Sequence, residues 1–188
     1  LVLHPSGIPV HGGQTPVAPL AFAEILITST ISKRIRWSYR PGQEIEDLPV
    51  DYVEREYGTY VVDLAVDEES LWRNLRRSYK ALIHRAGEQF YVDSYFEPST
   101  LIDAKARVEI AHGLHCQSAG RVTRPQRTWD LQASWLASGD AVLLNAYLGK
   151  TPVGFAYLIR WKDWCYYASG AALERNVSHL LLWNAMRL

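Results

Sequence analysis

No stretch of this chain restricts its fold more than Asp140 to Leu188, DAVLLNAYLGKTPVGFAYLIRWKDWCYYASGAALERNVSHLLLWNAMRL. Runs rich in Val, Ile, Tyr, Phe and Trp extend from Val142 to Leu148, Val153 to Trp161 and Cys165 to Leu173. Turn residues separate them, at Gly149-Lys150-Thr151-Pro152 and at Lys162-Asp163, which predicts three antiparallel strands in a meander. The runs barely alternate apolar with polar residues, so both faces of this sheet should be covered. Ser178 is the expected N-cap of a helix from Leu180 to Leu188 that is apolar almost all round and so must be buried on more than one side. The chain stops inside that helix without a terminating signal and begins with Leu, so a longer parent sequence is expected at both ends.

Upstream, residues 1–18 are punctuated by Gly and Pro, with His11-Gly12-Gly13-Gln14 as the densest cluster, readable as a plain turn or as a close backbone approach to a ligand. An apolar helix is predicted from Pro19 to Ser32, a strand from Arg34 to Tyr39, a short helix from Asp51 to Tyr57 and a strand from Thr59 to Leu64. The best-marked helix runs from its cap Asp67 to Gly87, with Glu68 and Glu69 at its positive end and Leu71, Leu75, Tyr79, Leu82 and Ala86 as the inward stripe. Arg73, Arg77, Lys80 and His84 follow one another at spacings of four, three and four, forming a basic ridge that is either a solvated face or a surface for an anionic substrate.

A strand is predicted from Phe90 to Phe96, then a capping box at Thr100-x-x-Asp103 and a helix towards Gly120. Glu109, His112, His115 and Cys116 lie close on that helix, but without ligands drawn in from elsewhere they read as packing or surface residues and not as a metal site. The loop that follows, AGRVTRPQRTWD from Ala119 to Asp130, carries Arg121, Arg124 and Arg127. Guanidinium forks on a loop suit bidentate capture of phosphate or carboxylate, and equally suit pairing with nearby acidic residues. Thr128 is the expected cap of a helix that turns Trp129, Ala133 and Leu136 inward and ends at Gly139.

Composition narrows the function. With 20 Lys plus Arg against 20 Asp plus Glu, the net charge of zero gives no bulk attraction to nucleic acid, DNA included, or to an anionic membrane. Two cysteines, Cys116 and Cys165, at no metal or disulfide spacing favour a reducing cytoplasm. No apolar run reaches membrane-spanning length, and the nucleotide-loop, serine-hydrolase and zinc-protease signatures are missing from the sequence.

The order LWRNLRRSYKALIHRA (71–86), AGRVTRPxxTW (119–129), AVLLNAYLGKTPVG and YYASGA (166–171) before a helix resembles the acyltransferases of the GNAT superfamily. More narrowly it is similar to their Fem-like branch, which includes proteins linked to bacterial envelope or exopolysaccharide synthesis. The resemblance covers residues 59–188 and implies an α/β (α+β) fold, a mixed and mainly antiparallel twisted sheet flanked by helices and truncated at the C-terminus. It implies two lobes: residues 1–97 would end a first GNAT-like lobe with its basic helix 67–87, and residues 98–188 would begin a second.

The resemblance further implies transfer of an acyl or aminoacyl group to an amine of an anionic envelope or exopolysaccharide precursor, with acyl-CoA or aminoacyl-tRNA as co-substrate and no permanently bound cofactor. Arg121 and Arg124, with Arg73, Arg77 and Lys80, would hold the acceptor; Tyr166 and Tyr167 would line the reacting centre; His179, His115 and Glu174 carry the chemistry of a base. The donor would lie at the start of the last helix, beside Arg175, Asn176 and Ser178. Ordinary members carry glycines in that turn; Glu174-Arg175-Asn176-Val177-Ser178-His179 has none, which fits the branch whose members can use aminoacyl-tRNA, with tRNA as a candidate partner. The competing expectation is a non-catalytic module that binds RNA or acidic polysaccharide through the basic ridge and exposed aromatic residues.

Overall fold

A computed structural model describes Val2–Leu3, Arg36–Trp37, residues 62–161 and residues 164–188, except for the side chains of the first four and of Trp161 and Trp164. The His11–Gln14 cluster, the helices expected at 19–32 and 51–57, most of the strand expected at 34–39 and the Lys162-Asp163 turn lie outside the described residues. Contacts divide the chain into Leu1–Tyr60 and Val61–Leu188. In the first unit, β1 (Val2–Leu3) pairs in parallel with β2 (Arg36–Trp37).

The second unit contains α1 (Glu68–Asn74), α2 (Arg77–Gln89), β3 (Tyr91–Tyr95), α3 (Leu101–Ala119), α4 (Gln126–Ser138), β4 (Ala141–Leu148), β5 (Thr151–Trp161), β6 (Trp164–Ala172) and α5 (Val177–Met186). The four strands form one antiparallel sheet in the order β3-β4-β5-β6. The three apolar runs of the meander are its β4, β5 and β6, and Gly149 makes the first turn at φ 60°.

Both faces of the sheet are covered, which is why these strands read as continuous apolar runs. Val142, Leu144, Ala156 and Leu158 pack with Ile83 and Ala86 of α2 and Val177, Leu180, Leu181 and Trp183 of α5. Leu143, Phe155 and Tyr157 point the other way, onto Ala104, Val108, Ala111 and Leu114 of α3 and Trp129, Ala133 and Leu136 of α4.

The caps of α3 and the end of α4 follow their local chemistry. Thr100 Oγ1 accepts from the Asp103 N–H at 3.1 Å and contacts Asp103 Oδ2 at 2.6 Å, while Gly120 and Gly139 close the two helices at φ 67° and 82°. Thr100→Ala should therefore lower the unfolding free energy by ~1 kcal/mol in urea titration. Thr128 does not cap α4: it lies inside the first turn, its N–H bonded to the Pro125 carbonyl at 2.9 Å, because the chain enters the helix from extended Pro125. Ser178 does not cap α5 either, since Asn176 turns the chain in the left-handed region at φ 69° and the helix starts at Val177.

Two expectations for residues 59–87 are corrected. Val62–Leu64 form no strand. The helix expected from 67 to 87 is two helices, because Leu75 and Arg76 are both extended, with ψ 142° and 140°. Asp67 caps the first as expected, accepting from the Ser70 N–H at 2.8 Å, whereas Gly87 stays inside the second, which runs on to Gln89. The break shifts the phase of the buried stripe, so Ile83 enters the core while Tyr79 is 39% exposed. α1, α2 and β3 pack in the same compact unit as residues 98–188.

Candidate active site

The arginine loop and the Tyr-Tyr-Ala-Ser-Gly-Ala strand meet. Arg124 Nη1 donates to Ser169 Oγ at 3.1 Å, across 45 residues of sequence, and the guanidinium carbon lies 5.8 Å from the centroid of the Trp129 ring. Trp129 is buried, stacked on His112 at 4.8 Å and meeting Phe155 edge-on at 6.5 Å, so the surface under Arg124 is built from α3, α4 and β5. Next to Arg124, Thr123 Oγ1 shares a hydrogen bond of 2.6 Å with His115 Nε2, and the His115 ring stands edge-on to Trp129 at 5.4 Å. Burial first, then the charges of Arg124 and His112, hold the His115 imidazole below the ordinary histidine value.

Strand β6 carries a bulge at this place. Tyr157 pairs with Ser169 and Leu158 with Tyr167, leaving Ala168 without a partner residue, a device that re-aims neighbouring side chains. Tyr166, 64% exposed, pairs with Ile159 and takes the face of Ser169 and Arg124. Tyr167, 47% exposed, takes the α5 face and folds its hydroxyl over Gly170, where any Cβ would overlap it; burial raises the phenol above its ordinary value. The two tyrosines thus flank β6 on opposite sides.

On the α5 side, His179 packs its ring 5.0 Å from Tyr79, and its Nδ1 is buried without a hydrogen-bond partner among the described residues. Arg175 and Ser178 are exposed beside Asn176. Arg73 and Lys80 belong to the α1–α2 corner: Arg73 pairs with Glu69 at 3.0 Å and Lys80 Nζ donates to the Arg73 carbonyl at 3.0 Å. Arg77 begins α2 and is exposed. These three cations sit on the helices that cover the α5 face, whereas Arg121 and Arg124 join α3 to α4 on the other, so the sheet lies between the two basic groups.

The sequence model of the family described as acetyltransferase (GNAT) domain matches residues 69–187. The chain belongs to this family. Its GNAT domain therefore includes α1, α2 and β3 as well as the meander, in agreement with the packing. Among solved structures, the domain is similar to the crystal structure of FemX, at 13% identity and a TM-score of 0.48, over 66% of this chain and 48% of that one. The chain thus spans about half the length of FemX. Comparison with curated proteins gives no match. Among the described residues of the GNAT domain, no helix is long and apolar enough to cross a membrane.

Reading the sequence did not single out Ser169, Trp129 or Thr123 as members of one site. The signal was present only as two separate motifs, Arg-Val-Thr-Arg-Pro and Tyr-Tyr-Ala-Ser-Gly-Ala. Asn145, the one polar residue inside the run Ala141–Leu148, is fully buried beside Phe155, and its amide has no partner among the described residues.

Proposed function

We propose that this GNAT domain transfers an acyl or aminoacyl group to an amine of an anionic envelope or exopolysaccharide precursor at the bulged part of β6. The observation that carries the reading is the Arg124–Ser169 hydrogen bond, which fastens the arginine loop to that strand beside exposed Tyr166. Family membership supports the reaction type, acyl transfer, with acyl-CoA as the ordinary co-substrate. Attack of a neutral amine on an activated carbonyl needs alignment of the two reactants and donors for the developing oxyanion more than it needs a covalent intermediate.

The residues divide the work as follows. Arg124, half-buried and bound to a neutral hydroxyl, fixes the loop, while exposed Arg121 holds an acceptor phosphate or carboxylate. Tyr166 lines the acceptor side of β6. Tyr167, with its raised phenol, donates a hydrogen bond on the α5 side, and the acceptor amine reaches around the edge strand β6 to that side, where His179 takes its proton. Arg175, Asn176 and Ser178 at the start of α5 meet the phosphates of the donor, whether coenzyme A or the end of a tRNA.

The test is an assay of the full chain against acyl-CoA and aminoacyl-tRNA donors. Arg124→Ala should lower kcat/KM about tenfold, the ~1.5 kcal/mol expected of one charge-assisted hydrogen bond, and Arg121→Ala should raise the acceptor KM with kcat kept. Undiminished turnover in the doubly substituted protein would remove the loop from the mechanism.

A further inference from the structure

The His115–Thr123 hydrogen bond, the edge-on contact of His115 with Trp129, the cation over the same indole and the Arg124–Ser169 bond form one continuous chain of contacts. From this geometry we infer that His115 is a pH-sensitive latch on the arginine loop: neutral, it lets Arg124 rest between Trp129 and Ser169; protonated, it drives Arg124 off Ser169. His115 is thus a positioning residue acting through Arg124. The meaning of the latch for turnover rests on the acyl-transfer reading above.

Besides His112, which stacks on it at 4.8 Å, two basic side chains converge on the Trp129 indole. The His115 ring is 5.4 Å from the Trp129 ring and the Arg124 guanidinium carbon 5.8 Å from it, so a charge on both places two cations against one buried aromatic surface. The charged and titratable groups facing His115 are Arg124 from the loop and His112 from its own helix, the latter 3.4 Å from Glu109; α4 presents the uncharged indole. Burial, Arg124 and His112 all disfavour the imidazolium, so the latch is closed at neutral pH.

Protonation does not break the bond to Thr123, because Nε2–H can then donate to Oγ1. What changes is charge. Arg124 is held by a neutral hydroxyl, and no carboxylate pairs with it among the described residues, so nothing at Ser169 offsets a second cation facing it. The loop stays tethered at Thr123 while the guanidinium swings out.

The test is a nuclear magnetic resonance titration of the full chain from about pH 7.5 to about pH 5, the range in which histidines change charge, following the His115 ring, the Arg124 Nε–H and the Ser169 amide. All three signals should move with one midpoint. Since coupling is reciprocal, Arg124→Gln should raise the His115 midpoint, and His115→Gln should leave the Arg124 and Ser169 signals flat across the range with the other core amides unmoved. Arg124 and Ser169 signals that stay flat while wild-type His115 titrates, or a His115 midpoint unmoved by Arg124→Gln, would overturn the latch. None of these signals needs a substrate: a switching loop in a protein without transferase activity discards the proposed reaction alone, and turnover with flat signals discards the latch alone.

Discussion

Trp129→Ala is expected to lower the unfolding free energy by ~3–5 kcal/mol, a large part of what holds a domain of this size together. The indole is 1% exposed and touches three different elements: His112 of α3 stacks on it, Phe155 of β5 meets its edge, and the Arg124 guanidinium faces it from the loop. Removing it leaves a cavity that no single neighbour can fill, because those neighbours are anchored on separate elements, two of them in a helix and a strand whose other side chains are already packed. The urea midpoint should fall with an unchanged slope, the signature of lost stability and not of altered compactness. A second consequence is local: without the indole, Arg124 loses the surface that directs it to Ser169. Trp129→Phe, which keeps a ring in the cavity, should lose less on both counts. A stability loss below ~1 kcal/mol for Trp129→Ala would show that the indole does not join these layers.

The contrast between what could and could not be read from the sequence follows from the range of the interactions. Thr100, Gly120, Gly139 and Gly149 act on backbone groups within a few residues, so their helix ends and turn were legible. The strands were legible because burial on both faces demands apolar residues at consecutive positions. The break at Leu75–Arg76 was not, since leucine and arginine are both good helix formers. Its cause is tertiary: Trp72 of α1 packs 4.8 Å from Trp183 of α5, and Glu68 pairs with Arg187 at 2.8 Å, which ties α1 to the far end of the last helix.

The candidate site shows the same division. An arginine in a polar loop reads as solvated, and nothing within a few residues of Arg124 indicates that its partner is Ser169. The bulge at Ala168 was also invisible, because a one-residue change of register leaves composition untouched while moving Tyr166 and Tyr167 relative to Ser169. Family resemblance brought the two motifs to notice together, and the fold supplies the physical reason for their pairing.

Gly154→Val should destabilise the domain by about 3 kcal/mol, the upper end of what overpacking a close-packed interior produces. Gly154 faces α5, and a Cβ there would overlap Val177 and stand 3.0 Å from the Ala171 carbonyl oxygen and 3.4 Å from Leu181. Val177 and Leu181 could give way only by lifting α5 from the sheet; the Ala171 carbonyl is strand backbone and cannot give way without disturbing the β5–β6 ladder. The first turn of α5, with Asn176 and Ser178, would move with the helix, so the substitution should also raise the donor KM more than the acceptor KM. Gly154→Ala, with one methyl group, should show the same pattern at smaller amplitude. Wild-type stability in Gly154→Val would mean that α5 lies farther from β5 than these contacts place it, and equal changes in the two KM values would separate the start of α5 from donor binding.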